Sequence, residues 1–196
     1  MTKDKVGIKL GMWLFLYTEI MLFGGLFILY AVYYTKYAAN FAGSAQELNL
    51  VFGTVNTFIL LASSFTVAAS ITAIHNNRKR QSLVLLAASY ALGIVFLINK
   101  YFEWSHKIQA GIYLNSKLLA NGQPGNNIFF SLYYLITGLH GLHVLIGIIL
   151  LMVCSIMVAR NRILPGNYVF LENSGLYWHL VDLIWIFVFP LFYLVL

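Results

Sequence analysis

A few side chains able to carry protons or hold ions stand inside long apolar runs of this 196-residue chain. Glu19 lies in the first run, His140 and His143 share the string Thr137-Gly138-Leu139-His140-Gly141-Leu142-His143, and His179 and Asp182 repeat the same offset near the C-terminus. Helical residues at that offset project from similar faces. Each pair therefore presents two polar heads to one neighbour. Carboxylates and imidazoles so arranged suit a metal site, a proton-exchangeable group, or hydrogen bonds that join helices. Gly138 and Gly141 favour the last reading, because they clear one stripe for a close helix approach. Lys100 and Glu103 form a further pair, read as a surface ion pair near a span end, where a long cation reaches the headgroups.

Glu19 is the sharpest of these. An ionised acid at the bilayer centre costs about 2.5 to 3.5 kcal/mol on insertion scales, and Glu19 falls ~13 Å inside its run at helical rise. It is expected to be neutral or paired with an imidazole. Asn56, Thr57, Ser63 and Ser64, with Gly24 and Gly25, read as small and polar packing positions. Tyr101, Trp104, Tyr177 and Trp178 read as interfacial anchors.

The elements that position these groups follow from composition. The chain is 61% hydrophobic and 9% charged, with mean hydropathy +0.81. That excludes a water-soluble domain, which needs more charge to coat itself, and it excludes disorder. Five runs, at about 10–35, 50–74, 82–105, 128–159 and 173–196, exceed the roughly 20 residues that cross a ~30 Å hydrocarbon core. Such runs must satisfy their backbone internally, which predicts helices. The fold class is therefore an all-α integral membrane protein, a five-helix bundle forming a single domain over 1–196.

The net charge of +6 is read as topology rather than as nucleic-acid binding. Lys3, Lys5, Lys9, Arg78, Lys79, Arg80, Arg160 and Arg162 gather on one side, against Lys36, Lys107 and Lys117 on the other. The positive-inside rule then predicts a cytoplasmic N-terminus and a periplasmic C-terminus. Arg78, Lys79 and Arg80 are candidate contacts for anionic lipid headgroups. The connection at 106–127 carries turn chemistry at Gly111, Asn121, Gly122, Pro124 and Gly125. The lone Cys154 forms no internal disulfide.

The runs GMWLFLYTEIMLFGGLFILYAVYY, NTFILLASS, KYFEW, YYLITGLHGLHVLIGIILL and YWHLVDLIWIFVFPLFYL resemble, in order, the helices of subunit III of haem-copper terminal oxidases. The resemblance implies a subunit that packs against catalytic subunit I, beside subunit II and a small subunit IV, in a bacterial inner membrane. It implies no catalytic residue and no metal here, with haem and copper in the partner subunits. Electrons would pass from cytochrome c to oxygen. Family members also hold phospholipid in a cleft and help sustain proton delivery, roles that would fall on Glu19, His140, His143, His179 and Asp182, with Glu103 as a further polar contact. Two departures stand out. The mitochondrial form has two further N-terminal helices that have no counterpart here, so that wall of the lipid cleft is expected to be absent or supplied by another subunit. Lys100 stands where many mitochondrial members have Gln. Competing readings are a quinol oxidase or nitric oxide reductase subunit, a stand-alone proton or solute carrier, and a metalloenzyme built on His140, His143, His179 and Asp182.

Overall fold

Apolar runs of this length have one way to satisfy their peptide groups in lipid, and the computed structural model, which describes residues 5–113 and 123–195, takes it throughout. The helices are α1 (Lys5–Ala45), α2 (Leu50–His75), α3 (Lys79–Gln109), α4 (Pro124–Ala159) and α5 (Val169–Tyr193). All five are long and apolar enough to span a membrane, and no β-strand occurs among the described residues. Lys3, Lys117, Asn121 and Gly122 lie outside the described residues.

The ends are set by local chemistry. Pro124 opens α4, where its missing N–H costs nothing. Asn49 caps α2, its side chain accepting from the Val51 N–H at 2.9 Å. α2 and α4 close with the same turn. Asn77 (φ 57°) and Asn161 (φ 54°) adopt the left-handed conformation. The next residues, Arg78 and Arg162, donate their N–H groups back to Ala73 and Met157. Lys79 joins the two turns, its ammonium donating to the Ala159 carbonyl at 2.7 Å and to Asn161 Oδ1 at 2.6 Å.

One end of the bundle thus carries the start of α1 and the α2–α3 and α4–α5 connections; here Lys9 pairs with Glu172 at 3.0 Å. The other end carries the α1–α2 and α3–α4 connections. There Asn40 donates to Gln123, and Lys107 donates to the Glu47 carbonyl at 2.5 Å.

In lipid there is no hydrophobic drive between helices, so packing and hydrogen bonds must hold them. α2, α3, α4 and α5 form the closely packed group, whereas among the described residues the α1 backbone comes close to α4 and α5 and not to α2 or α3. The centre of the group is Trp178, 1% exposed. A Cβ on Gly147 would stand 2.6 Å from its ring and one on Gly93 2.7 Å, so both glycines exist to admit it. Trp178 and Tyr177 are core residues, not interfacial anchors. Tyr101 is exposed as expected, and Trp104 covers Gly138. Among the described residues nothing lies within 4 Å of a Cβ placed on Gly24 or Gly25, so the packing expected there is not made by them.

The polar packing positions on α2 do meet neighbours. Ser63 donates to the Ser89 carbonyl at 3.0 Å, Asn99 donates to Asn56 at 3.0 Å, and Thr57 accepts from the Trp185 indole at 3.0 Å.

Candidate functional site

Among the described residues, three clusters built around ionisable side chains lie inside the bundle, each drawing on different helices. In the first, His143 on α4 faces Glu19 on α1, Nε2 to Oε2, at 2.8 Å. The other ring nitrogen, Nδ1, lies 2.8 Å from the Leu139 carbonyl. A carbonyl only accepts, so Nδ1 carries a hydrogen, and a single proton is shared between Nε2 and the Glu19 carboxyl. Moving that proton from one to the other leaves the pair's net charge unchanged. Phe23 meets the imidazole edge at 5.2 Å and Tyr177 lies nearly parallel at 6.5 Å. Glu19 thus has the imidazole partner its depth demands.

The second cluster overturns the reading of Lys100 and Glu103 as a surface ion pair. Lys100 is 7% exposed and Glu103 4%. The ammonium donates to Glu103 Oε2 at 3.0 Å, to the Tyr133 hydroxyl at 3.2 Å and to the Tyr193 hydroxyl at 2.9 Å. Tyr133 donates to Glu103 Oε1 at 2.8 Å, and Tyr193 donates to the same oxygen. All three ammonium hydrogens and both phenol hydrogens are used, and the cluster is neutral overall. A long cation at a span end need not snorkel when three helices supply its partners. Lys100 also lies 4.9 Å from the Tyr133 ring centroid and 5.1 Å from that of Trp185. Glu103 also lines a small cavity of about 190 Å³ together with Glu47, His106 and Lys107.

The third cluster joins α2 to α5. Ser64 Oγ lies 2.6 Å from His179 Nδ1, and Asp182 follows three residues after that histidine. Asp182 is 6% exposed, and its Oδ1 has no partner.

His140 belongs to none of these clusters. It is fully enclosed and neither ring nitrogen has a hydrogen-bond partner. Phe96 meets it edge-on at 5.6 Å and Trp185 lies at 5.2 Å. The expected hydrogen bond from both helix-embedded histidines is therefore made by His143 and not by His140. His143, His179 and Asp182 are likewise divided between two clusters, and among the described residues no three His, Cys, Asp or Glu side chains converge to hold a metal.

The remaining candidates lie at the end that carries the start of α1. Arg78 and Arg80 are exposed, whereas Lys79 is turned inward onto the end of α4.

The family model for cytochrome c oxidase subunit III matches residues 2–195. The chain belongs to the cytochrome c oxidase subunit III family. Cytochrome c oxidase subunit 3 of Synechocystis is 34% identical over 94% of this chain and 74% of its own length. A probable quinol oxidase subunit 3 of Staphylococcus saprophyticus is 31% identical, covering 95% of this chain and 88% of its own. Cytochrome bo(3) ubiquinol oxidase subunit 3 of Pseudomonas aeruginosa is 30% identical, covering 94% and 83%. Subunit III is thus a multi-pass membrane component shared by oxidases of both donor types. Within this member, sequence reasoning missed Tyr133 and Tyr193 as partners of Lys100, and Gly93 and Gly147 as the seat of Trp178. A charged pair followed by aromatics on two other spans was the available signal for the first. An intramembrane Trp needing space was the signal for the second.

Proposed function

We propose that this chain is the non-catalytic subunit III of a proton-pumping haem-copper oxidase of a bacterial inner membrane, taking electrons from cytochrome c and reducing oxygen to water. It would pack on subunit I, with subunit II and a small subunit IV in the same assembly, and leave haem and copper to its partners. The observation that carries the reading is the family match along residues 2–195. The geometry agrees with a supporting role. Two of its buried ionisable clusters are closed on themselves, Glu19 with His143 and Lys100 with Glu103, and neither leaves a vacant set of ligands.

Glu19 and His143, able to pass one proton without creating net charge, are the groups through which the subunit supports proton uptake. The basic end of the bundle lies in the cytoplasm in this reading, with Arg78 and Arg80 at anionic headgroups. A quinol donor is the second reading, favoured by the Staphylococcus and Pseudomonas relatives.

The test is to delete the chain and assay the remaining oxidase. Oxygen consumption should begin near the normal rate with reduced cytochrome c and then decay several-fold faster over repeated turnovers. An oxidase with unaltered rate and lifetime would end the proposal, and activity with quinol alone would move it to the second reading.

A further inference from the structure

At the level of Glu19, α1 meets its neighbours through three consecutive turns. Phe15, Glu19 and Phe23 stand four residues apart and so lie on one face of the helix. Glu19 Oε2 is 2.8 Å from His143 Nε2. One turn further along α1, Phe23 meets the imidazole at 5.2 Å. One turn before it, Phe15 stacks on the Tyr177 ring of α5 at 6.0 Å and 27°. The proton shared between acid and imidazole is thus bracketed along α1 by two ring contacts. Side chains alone make this seat, because a Cβ on Gly24 or Gly25 would meet no described residue within 4 Å.

Tyr177 touches both sides of the contact. Its ring carries Phe15 of α1, and its hydroxyl donates to the His143 carbonyl of α4 at 3.1 Å. A carbonyl oxygen has two lone pairs, so this bond adds to the helical one instead of replacing it. The ring is 3% exposed and lies nearly parallel to the imidazole at 6.5 Å. The next residue, Trp178, is seated on Gly147, where a Cβ would stand 2.6 Å from its ring. That seat is one turn beyond His143, and it fixes the height of α5 against α4 where Tyr177 acts. Hydrogen bonds weaken steeply when stretched or bent. A proton is therefore shared only while acid and imidazole are held close and in line.

We propose that Tyr177 is the positioning residue of the Glu19–His143 pair. Through its ring on Phe15 and its hydroxyl on the His143 backbone, it sets the separation across which the proton is shared. This rests on the reading of that pair as the one that passes a proton, and it goes beyond that reading by giving control of the separation to a third helix.

The test uses the full chain with nitrogen-15 histidine in lipid nanodiscs and reads the His143 Nε2 resonance, assigned by its loss in His143→Gln. Glu19→Gln supplies the reference for a bare Nε2, since Nδ1 keeps the ring hydrogen and the amide donates only its own. The unsubstituted chain should resonate between the bare and the protonated limits. Tyr177→Leu, which removes ring and hydroxyl, should carry the signal most of the way to one limit. Tyr177→Phe, which keeps the ring, should move it less than half as far. A signal unmoved in Tyr177→Leu would overturn the proposal, as would a Phe variant shifted as far as the Leu variant. The Phe variant orphans no buried group and should fold. If Tyr177→Leu is not recovered in mild detergent, Tyr177→Phe decides alone, and an unmoved resonance there overturns the proposal. An unsubstituted chain that coincides with Glu19→Gln would remove the shared proton itself, and this proposal with it.

Discussion

Lys100 shows how a cation is kept inside a membrane bundle: each of its hydrogens has an acceptor, and the opposite charge is one helical turn away. Breaking such a pair from one side costs about 3 to 5 kcal/mol, because the remaining charge is uncompensated. Lys100→Met should therefore lower the thermal stability of the detergent-solubilised chain sharply. Lys100→Gln, which keeps two donors, should lower it less, and Lys100→Met combined with Glu103→Leu should recover part of the loss. An additive double variant would show that the two groups do not act as a pair. At Glu19, Gln keeps the size and one hydrogen-bonding atom toward His143, so assembly should persist while the turnover lifetime of the oxidase falls. Leu leaves an imidazole nitrogen unpaired at about 1 to 3 kcal/mol, so less chain should be recovered in the complex; equal, wild-type behaviour of both variants would make the acid incidental. The Glu19 partnership was legible in the sequence because depth alone demands an imidazole or a proton. The Lys100 cluster was not, since its phenols lie 33 and 93 residues away and only the folded bundle brings them together.

Among the helices, close approach is bought by glycine at defined points. Gly147→Ala would put a Cβ 2.6 Å from the Trp178 ring, an overpacking worth about 1 to 3 kcal/mol. The melting temperature should fall for this variant and stay unchanged for Gly24→Ala, where nothing lies within 4 Å. Similar melting of the two would mean that Trp178 does not set the spacing. The number and order of the helices were legible because uninterrupted apolar length is a strong signal. Their ends were less so. The expected stop of the first span near 35 falls just before Tyr37, whose φ of −129° and ψ of 36° depart from helical geometry, yet the helix resumes and runs to Ala45. Once past the hydrocarbon, hydropathy no longer reports where a helix ends. Gly24 and Gly25 misled for a related reason: small residues signal a close contact without saying whether the partner is in the same chain.

The molecule as a whole has an open side. Among the described residues the α1 backbone comes close to α4 and α5 only, and α1 is far more exposed than α5. A helix so exposed is stable as a span in lipid, but its single internal acid is secured by one imidazole across the α1–α4 contact. This architecture suits a component that completes its packing on other subunits. The central claim is that the chain is such a component and performs no redox chemistry alone. The direct measurement is an optical spectrum, with protein stoichiometry, of the tagged chain extracted from its native membrane in mild detergent. The account predicts a haem-containing partner in a fixed ratio, and no visible absorption once the chain is separated from it. A chain that emerges without a haem protein, or that keeps a chromophore by itself, would contradict the account.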